Sequence, residues 1–364
     1  PENVRFLQNL YIFDPVFVPG TPEEEGEADF ASVFWELVRF HDEFRSQPIQ
    51  RFMGLLHKMT SLLMIRRLRR LWVSREAFSL VVSLYQKLAS HSSFLDFFWT
   101  WRLLHLPIFQ LLQARPVHAR VCHAVSTGFA GFLATLRKTT HGTPLLLTEH
   151  GIYTRERNIE ITHAEWIHQE TGEDPHRVRR AEGTFKRLWM SYFQLLGQWT
   201  YQASDRIITL NRSNRDSEIS LGAPPEKIEI VPNGINLETF LDKRGSELPD
   251  PGAFRVGFIG RVVMIKDVRT FLRAAKMVLL EVPEATFFLI GPLDEEPDYA
   301  KEMQDTVRTL RIENRVKFLG RQDVLEWLPK LDINVLTSIS EAQPLSLLEA
   351  MAAGLPCVST DVGS

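Results

Sequence analysis

From residue 254 onward, short apolar runs alternate with longer amphipathic stretches. The runs Arg255–Ile259, Thr286–Ile290, Val316–Leu319, Ile333–Leu336 and Pro356–Thr360 have the length and residue types of buried strands. After the first run, Val268, Phe271, Leu272, Ala275, Val278 and Leu279 recur at the 3.6-residue period of a helix. Strands separated by helices predict βαβ units, a parallel sheet and right-handed crossovers. The second half therefore reads as a Rossmann-like domain.

The first half carries the same rhythm later and less cleanly. A strand is predicted over Val4–Ile12, followed by Pro15, Pro19 and an acidic loop at 23–27. Residues 30–114 read as almost wholly helical, with Trp35, Trp72, Trp99 and Trp101 among them. Helices this apolar must bury a face against something. The basic run at 66–70 (RRLRR) reads as their solvated face, a partner or membrane-surface role being the alternative.

The α/β alternation then begins. Strand Arg120–Ala124 leads to a glycine-spaced helix Thr127–Lys138, and strand Pro144–Thr148 ends in Glu149, His150 and Gly151. A polar helical stretch to about Gln202 follows. Then come strand Arg206–Leu210, a helix around Arg215–Leu221, strand Ile228–Val231 and a turn at Pro232–Gly234. Residues 236–253, with Gly245, Pro249, Pro251 and Gly252, read as a linker. The resulting division is a first domain at 1–235 with a helical insertion at about 30–114, and a second domain at 254–364. A chain that opens on Pro1 and stops just after a strand is expected to be an internal fragment, each domain incomplete at its outer end.

Composition narrows the function classes. The chain's 364 residues are long enough for two cores, and a net charge of −3 gives no general attraction to nucleic acid. The two cysteines, Cys122 and Cys357, have no C-x-x-C spacing, which fits a reducing compartment and no zinc site. The greasiest segment, Leu103–Leu112, is interrupted by His105 and Pro107 and falls short of the ~18 residues of a membrane span.

Candidate chemistry concentrates in Ser340–Ser359, where Glu341 and Glu349 stand with seven residues between them. Pro344 and the Gly354/Pro356 stop bracket a helix from Pro344 or Leu345 to Ala353. A loop from a strand into a helix N-terminus offers free N–H groups and the positive end of a dipole. Ser346 and Glu349 also fit a capping box, which would explain the carboxylate without function.

The turn after the first strand of the second domain reads GFIGRVVMIK over 257–266. Gly260 is expected to allow a sharp turn, and Arg261 and Lys266 to form a diphosphate pocket, two merely exposed basic residues being the alternative. The pattern is neither a P-loop nor G-x-G-x-x-G. A carboxylate can accept two hydrogen bonds from a ribose diol, and a second can hold sugar hydroxyls. A nucleotide diphosphate sugar would use all four groups. His163 and His168 are not an H-E-x-x-H pair, His163-x-Glu165 lacks the C-x-x-C of a deaminase, and 294–298 (DEEPD) reads as a solvated acidic loop.

These motifs resemble the donor domain of family 4 retaining glycosyltransferases of the GT-B fold. The resemblance rests on G-x-x-G-R…K at 257–266, IGP at 290–292, FLG at 318–320, and the E-x7-E pair running into AMAAGLP at 350–356. In the first half, LTEHGIYTRER at 147–157, HAVSTGFAG at 123–131 and SFLDFFW at 93–99 resemble the exopolysaccharide glycosyltransferases of the Pel pathway.

The resemblance implies an α/β GT-B protein, with two Rossmann-like domains facing across a cleft. Arg261 and Lys266 would bind the diphosphate of a UDP-sugar, Glu349 the ribose, and Glu341 the donor sugar ring. The backbone of Gln343, Pro344 and Leu345 would approach sugar and phosphates, with Gly260 in the phosphate loop. Gly320, Arg321 and Asp323 would frame the uracil, and His150 would reach the donor sugar from the first domain. Transfer would retain anomeric configuration on one sugar face, with no enzyme nucleophile assigned.

A UDP-sugar as donor substrate would be the only small molecule required. No D-x-D motif occurs, as expected of a metal-independent enzyme. Implied partners are a growing polysaccharide acceptor and a membrane-embedded Pel synthase complex, and the implied location is cytoplasmic with recruitment to the inner membrane. The glycine-rich loop that opens the family's first domain is not found before Val4. A UDP-sugar-binding scaffold or sensor without turnover, and a GT-B epimerase, are the competing readings.

Overall fold

A computed structural model describes residues 74–112, 114, 118–164, 167, 183–241 and 254–363. The strand expected at 4–12, the acidic loop at 23–27, Trp35, Trp72 and the basic run at 66–70 lie outside the described residues. The chain divides into two compact units, one of residues up to Thr209 together with 215–229, the other of 210–214 and 230–364.

In the first unit, helices α1 (Arg75–Leu88) and α2 (Phe94–Leu112) match the helical reading over the part of 30–114 that is described. Ser74 caps α1 by accepting from the Ala77 N–H at 3.1 Å. Strand β1 (Cys122–Ala124) leads to α3 (Phe129–His141), which ends at Gly142 in the left-handed region (φ 67°). Strand β2 (Leu145–Glu149) is followed by α4 (Tyr153–His163), α5 (Thr184–Ala203), β3 (Arg206–Thr209), α6 (Arg212–Ser220) and β4 (Ile228–Ile230). The sheet runs β1-β2-β3-β4, with β1–β2 and β2–β3 parallel.

One expectation fails here. The stretch before Gln202 is polar over α4 but not over α5. Helix α5 buries Phe185, Trp189, Tyr192, Phe193, Leu196, Trp199 and Tyr201. Its aromatic residues other than Tyr201 share one apolar cluster with Val81 and Leu84 of α1, Phe97 and Leu112 of α2, and Phe132 of α3. The α1–α2 pair is therefore packed on the sheet's helical layer, where burial of each large apolar side chain contributes roughly 1.5–3 kcal/mol. Among the described residues no helix is long and apolar enough to cross a membrane.

The second unit is doubly wound. Residues 237–241, in the stretch read as a linker, form the short helix α7 (Leu237–Leu241) with Phe240 buried. Strand β5 (Arg255–Ile259) is followed by α8 (Val268–Glu281), β6 (Thr286–Ile290), α9 (Pro297–Leu310), β7 (Val316–Gly320), α10 (Val324–Trp327), β8 (Ile333–Leu336), α11 (Leu345–Ala352) and β9 (Cys357–Ser359). All neighbouring strands are parallel, in the order β7-β6-β5-β8-β9. Strand order reverses at β5, so the crevice at the carboxyl ends of β5 and β8 is the topological switch point where open α/β sheets take ligands. Val268, Phe271, Leu272 and Ala275 of the predicted stripe are buried, whereas Val278 near the end of α8 is exposed.

Two parallel α/β units with flanking helices are the architecture expected of the GT-B fold.

Candidate functional site

At the switch point, two loops are tied together before any ligand is considered. The Thr337 hydroxyl donates to the carbonyls of Lys266 (3.1 Å) and Asp267 (2.9 Å), and the Ile339 N–H donates to the Ile265 carbonyl (2.9 Å). The turn after β5 and the turn after β8 thus form one platform. On it, Lys266 Nζ pairs with Glu341 Oε1, which also accepts from the Ser338 hydroxyl at 2.6 Å. Both side chains are mostly buried, so their attraction is weakly screened.

The residues after Glu341 are pinned one by one. Asn211 Nδ2 donates to the Ala342 carbonyl at 2.9 Å; segment 210–214 belongs with this unit. The Asn233 N–H donates to Gln343 Oε1 at 2.6 Å, and Asn233 Nδ2 to the Gln343 carbonyl at 3.1 Å. A loop held at three consecutive residues presents its groups with little left to order on binding.

Helix α11 then starts at Leu345, with Pro344 in extended conformation as its N-cap and no side-chain cap hydrogen bond. Ser346 lies inside the helix, so the capping box it offered with Glu349 is not formed. Glu349 sits one turn into α11, and desolvation raises its carboxyl above the ordinary value.

The turn after β5 differs from expectation in two respects. Gly260 does not carry the sharp turn: its φ is not positive, and an added Cβ would meet only Phe258 carbons at 3.5 and 3.8 Å. The glycine the fold requires is Gly291, at φ 151°, where an added Cβ would lie 2.0 Å from the Gly260 carbonyl oxygen. This close approach lets the Gly260 N–H reach the Ile290 carbonyl (2.9 Å) and the Val262 N–H the Pro292 carbonyl (3.0 Å).

Second, the acidic loop is not merely solvated. Glu295 Oε2 pairs with Arg261 at 2.8 Å, Glu296 Oε2 accepts from the Met264 N–H at 2.9 Å, and Asp294 lies 3.4 Å from the Arg321 guanidinium. Three consecutive carboxylates thus engage groups around the β5 and β7 turns. Asp323 spends its carboxylate on the N-terminus of α10, accepting from the Leu325 N–H at 2.9 Å, and Gly320 adopts φ 68° in open space.

In the first unit, His150 is exposed on the bend that follows β2. The preceding residue, Glu149, is almost fully buried and accepts from Tyr201 Oη (2.6 Å), Thr127 Oγ1 (3.0 Å) and the Tyr153 N–H (3.1 Å). Burial raises its carboxyl to about 7 against these three hydrogen bonds. Nearby Glu218, also fully buried, is raised to about 8, chiefly by burial, with Glu149 adding to the effect.

Sequence reasoning missed Asn211, Asn233, Ser338 and Thr337, whose roles depend on partners far away in the chain. The Pro-Asn-Gly stretch was the one local signal, and it indicated only a turn.

The switch point thus pairs Lys266 with Glu341, with Arg261 in the same β5 turn and Glu349 one turn into α11. Residues 253–364 match the family profile described as Glycosyl transferases group 1. Residues 1–226, more than half of the chain, match the profile described as Domain of unknown function (DUF3492), and the chain belongs to that family.

Similar curated proteins include the UDP-Gal:alpha-D-GlcNAc-diphosphoundecaprenol alpha-1,3-galactosyltransferase of Escherichia coli, 29% identical over 50% of this chain and 49% of that protein. The N-acetyl-alpha-D-glucosaminyl L-malate synthase of Bacillus anthracis is 31% identical over 44% and 43%. The chain spans about half the length of the curated relatives it matches.

Among solved structures, the sucrose-phosphate synthase of Thermosynechococcus elongatus aligns with a TM-score of 0.54 at 17% identity, over 77% of this chain and 62% of that one. Anabaena HepE in complex with UDP and glucose gives 0.51 at 18% identity, over 72% and 63%. At these identities the likeness establishes the fold.

Proposed function

We propose that this chain is a PelF-type retaining hexosyltransferase that uses a UDP-sugar to extend an exopolysaccharide. The observation that carries the proposal is the convergence of Lys266 and Glu341 on one platform at the β5/β8 switch point, with Arg261 in the same β5 turn. Arg261 and Lys266 would neutralise the diphosphate, supported by the uncapped N-terminus of α11. Glu349 would accept the ribose hydroxyls, and its partial desolvation strengthens such bonds. Glu341 and the backbone of Gln343–Leu345, pinned at Gln343, would hold the donor sugar. Gly320, Arg321 and the Asp323 backbone would border the uracil, and His150 would act on the donor sugar.

As the glycosidic bond breaks, negative charge grows on the departing UDP. Fixed cations and a helix dipole stabilise that charge without reorganising during the reaction. Glu341 is a poor nucleophile while Lys266 and Ser338 occupy it, which supports retention on one sugar face with the leaving phosphate assisting the acceptor hydroxyl. In this reading the cationic side chains carry the charge that a metal would otherwise offset, and no cofactor besides the donor is needed. The polymer acceptor, docking to a membrane-embedded Pel synthase complex and action at the cytoplasmic face of the inner membrane belong to the same proposal.

Incubation of the full-length protein with UDP-glucose, UDP-N-acetylglucosamine or UDP-N-acetylgalactosamine, with and without oligosaccharide acceptor, tests it. The expected result is UDP release and acceptor elongation with one of the three donors. UDP-sugar binding without consumption would replace the proposal with a scaffold or sensor, and an epimerised UDP-sugar would replace it with an epimerase.

A further inference from the structure

Strand β2 alternates inward and outward residues, and Leu145, Leu147 and Glu149 all point inward. An ionisable group at the third inward position is costly unless fully hydrogen-bonded. Here its three donors come from three separate places: the turn after β1 (Thr127), the first residue of α4 (Tyr153) and the last turn of α5 (Tyr201). Tyr201 and Thr127 are themselves completely buried, and Thr127 is held further by the Thr200 hydroxyl on its carbonyl at 3.3 Å.

The bond to Tyr153 matters most. Helix α4 has Ile152 as its N-cap with no side-chain cap of its own, and the Glu149 carboxylate takes the first N–H instead. Backbone leaves Glu149 through His150, Gly151 and Ile152, and the side chain of Glu149 closes the ring at Tyr153. His150 is therefore carried on a closed, three-residue turn.

The turn is packed from outside as well. A Cβ on Gly151 would lie 2.1 Å from Glu156 Oε1, and a Cβ on Gly128 would lie 2.5 Å from the Tyr153 ring. A surface turn with no further task does not require a buried carboxylate at its base.

We propose that Glu149 is a positioning residue for His150, fixing the 150–152 turn through the Tyr153 N–H while Tyr201 and Thr127 fix its carboxylate. The proposal rests on the reading of His150 as a group that acts on the donor sugar.

The test is a double-mutant cycle in the full-length protein, reading kcat, KM for the UDP-sugar, UDP affinity by calorimetry and thermal unfolding. Glu149→Leu removes the clamp and the buried charge together. It should lower kcat by about tenfold to a hundredfold, the scale of a misplaced catalytic group. UDP affinity should stay within about twofold, because no diphosphate or ribose group in this reading lies on the 150–152 turn. Adding Glu149→Leu to His150→Ala should cost nothing more, since residues acting as a unit are not additive. Glu149→Gln, which keeps an acceptor for Tyr153, should recover most of the turnover.

Full kcat in a folded Glu149→Leu protein, or independent losses from the two substitutions, would overturn the positioning role alone. Full activity of His150→Ala would instead overturn the reading of His150 on which it rests. If Glu149→Leu does not fold, Tyr201→Phe carries the same test: a kcat loss absent from the His150→Ala background supports the clamp, and no loss overturns it.

Discussion

Lys266 and Glu341 lie 75 residues apart in the chain and form a mostly buried ion pair, with the Ser338 hydroxyl donating to the same carboxylate oxygen. One is the expected phosphate ligand and the other the expected sugar ligand, so each holds the other in place before a donor arrives.

The pair gives the first prediction. Lys266→Met should weaken UDP binding by about tenfold or more, the scale of one charge-assisted contact. Glu341→Gln should leave UDP binding intact or tighter, because Lys266 is released, while transfer from UDP-sugar falls. Each single change should also destabilise the unit by about 1–3 kcal/mol by leaving a partly buried charge uncompensated. Calorimetric titration beside turnover checks this, and equal losses of UDP affinity in both variants would contradict the separation of roles.

The acidic loop gives the second. Glu295 and Glu296 occupy Arg261 and the Met264 N–H, two groups a diphosphate would also use. Exposed pairs of this kind are weak and screened by salt. The double substitution Glu295→Gln and Glu296→Gln should tighten UDP binding by about two- to threefold at low ionic strength, with little change near 1 M salt. Weaker binding in the variant would mean that the loop organises Arg261 instead of competing for it.

The third concerns pH. The folded state raises Glu149 to about 7 and Glu218 to about 8 from an ordinary value of 4.5. The Thr209 hydroxyl lies near enough to Glu218 to oppose the rise without a well-aligned hydrogen bond. A folded chain that holds protons the unfolded chain releases loses stability as pH increases. The contribution is therefore full below about pH 4.5 and declines through pH 7–8. Glu218→Gln should flatten this decline, with a difference from wild type of about 1–3 kcal/mol across the range. Urea unfolding at pH 5 and pH 8.5 measures it, and an unchanged slope would place the proton elsewhere.

The fourth separates two glycines that look alike in sequence. Gly291→Ala forces a Cβ against the Gly260 carbonyl and should cost about 2–4 kcal/mol, loosening the Arg261 turn as well. Gly320→Ala meets no atom within 4 Å and bears only the left-handed backbone penalty, about 1 kcal/mol. Comparable unfolding midpoints for the two variants would contradict the close approach.

Much of this was readable in the linear chain, for a physical reason. Strand and helix periods reflect which face of each element is dry, so β5 to β9 and the stripe on α8 were evident from local pattern. The Arg261–Lys266 spacing also sits within one strand-to-helix connection, and the E-x7-E pair within one loop and the helix that follows it. In α5 the apolar stripe Phe185, Trp189, Tyr192, Phe193, Leu196 and Trp199 does recur at helical spacing, but reading the helix as one stretch with the polar residues before it hides that face.

The sequence alone indicated two α/β units, a loop-to-helix start at Pro344 or Leu345, and candidate residues for a diphosphate and a sugar. Only the tertiary structure decided what those residues do to one another. It placed Lys266 on Glu341, set Glu295 on Arg261, made Gly291 and not Gly260 the indispensable glycine, and buried Glu149 under the His150 turn. Each of these depends on groups distant in the chain meeting at hydrogen-bond or van der Waals distance. Local periodicity carries no information about such meetings, because it records only whether a side chain is buried and not what it is buried against.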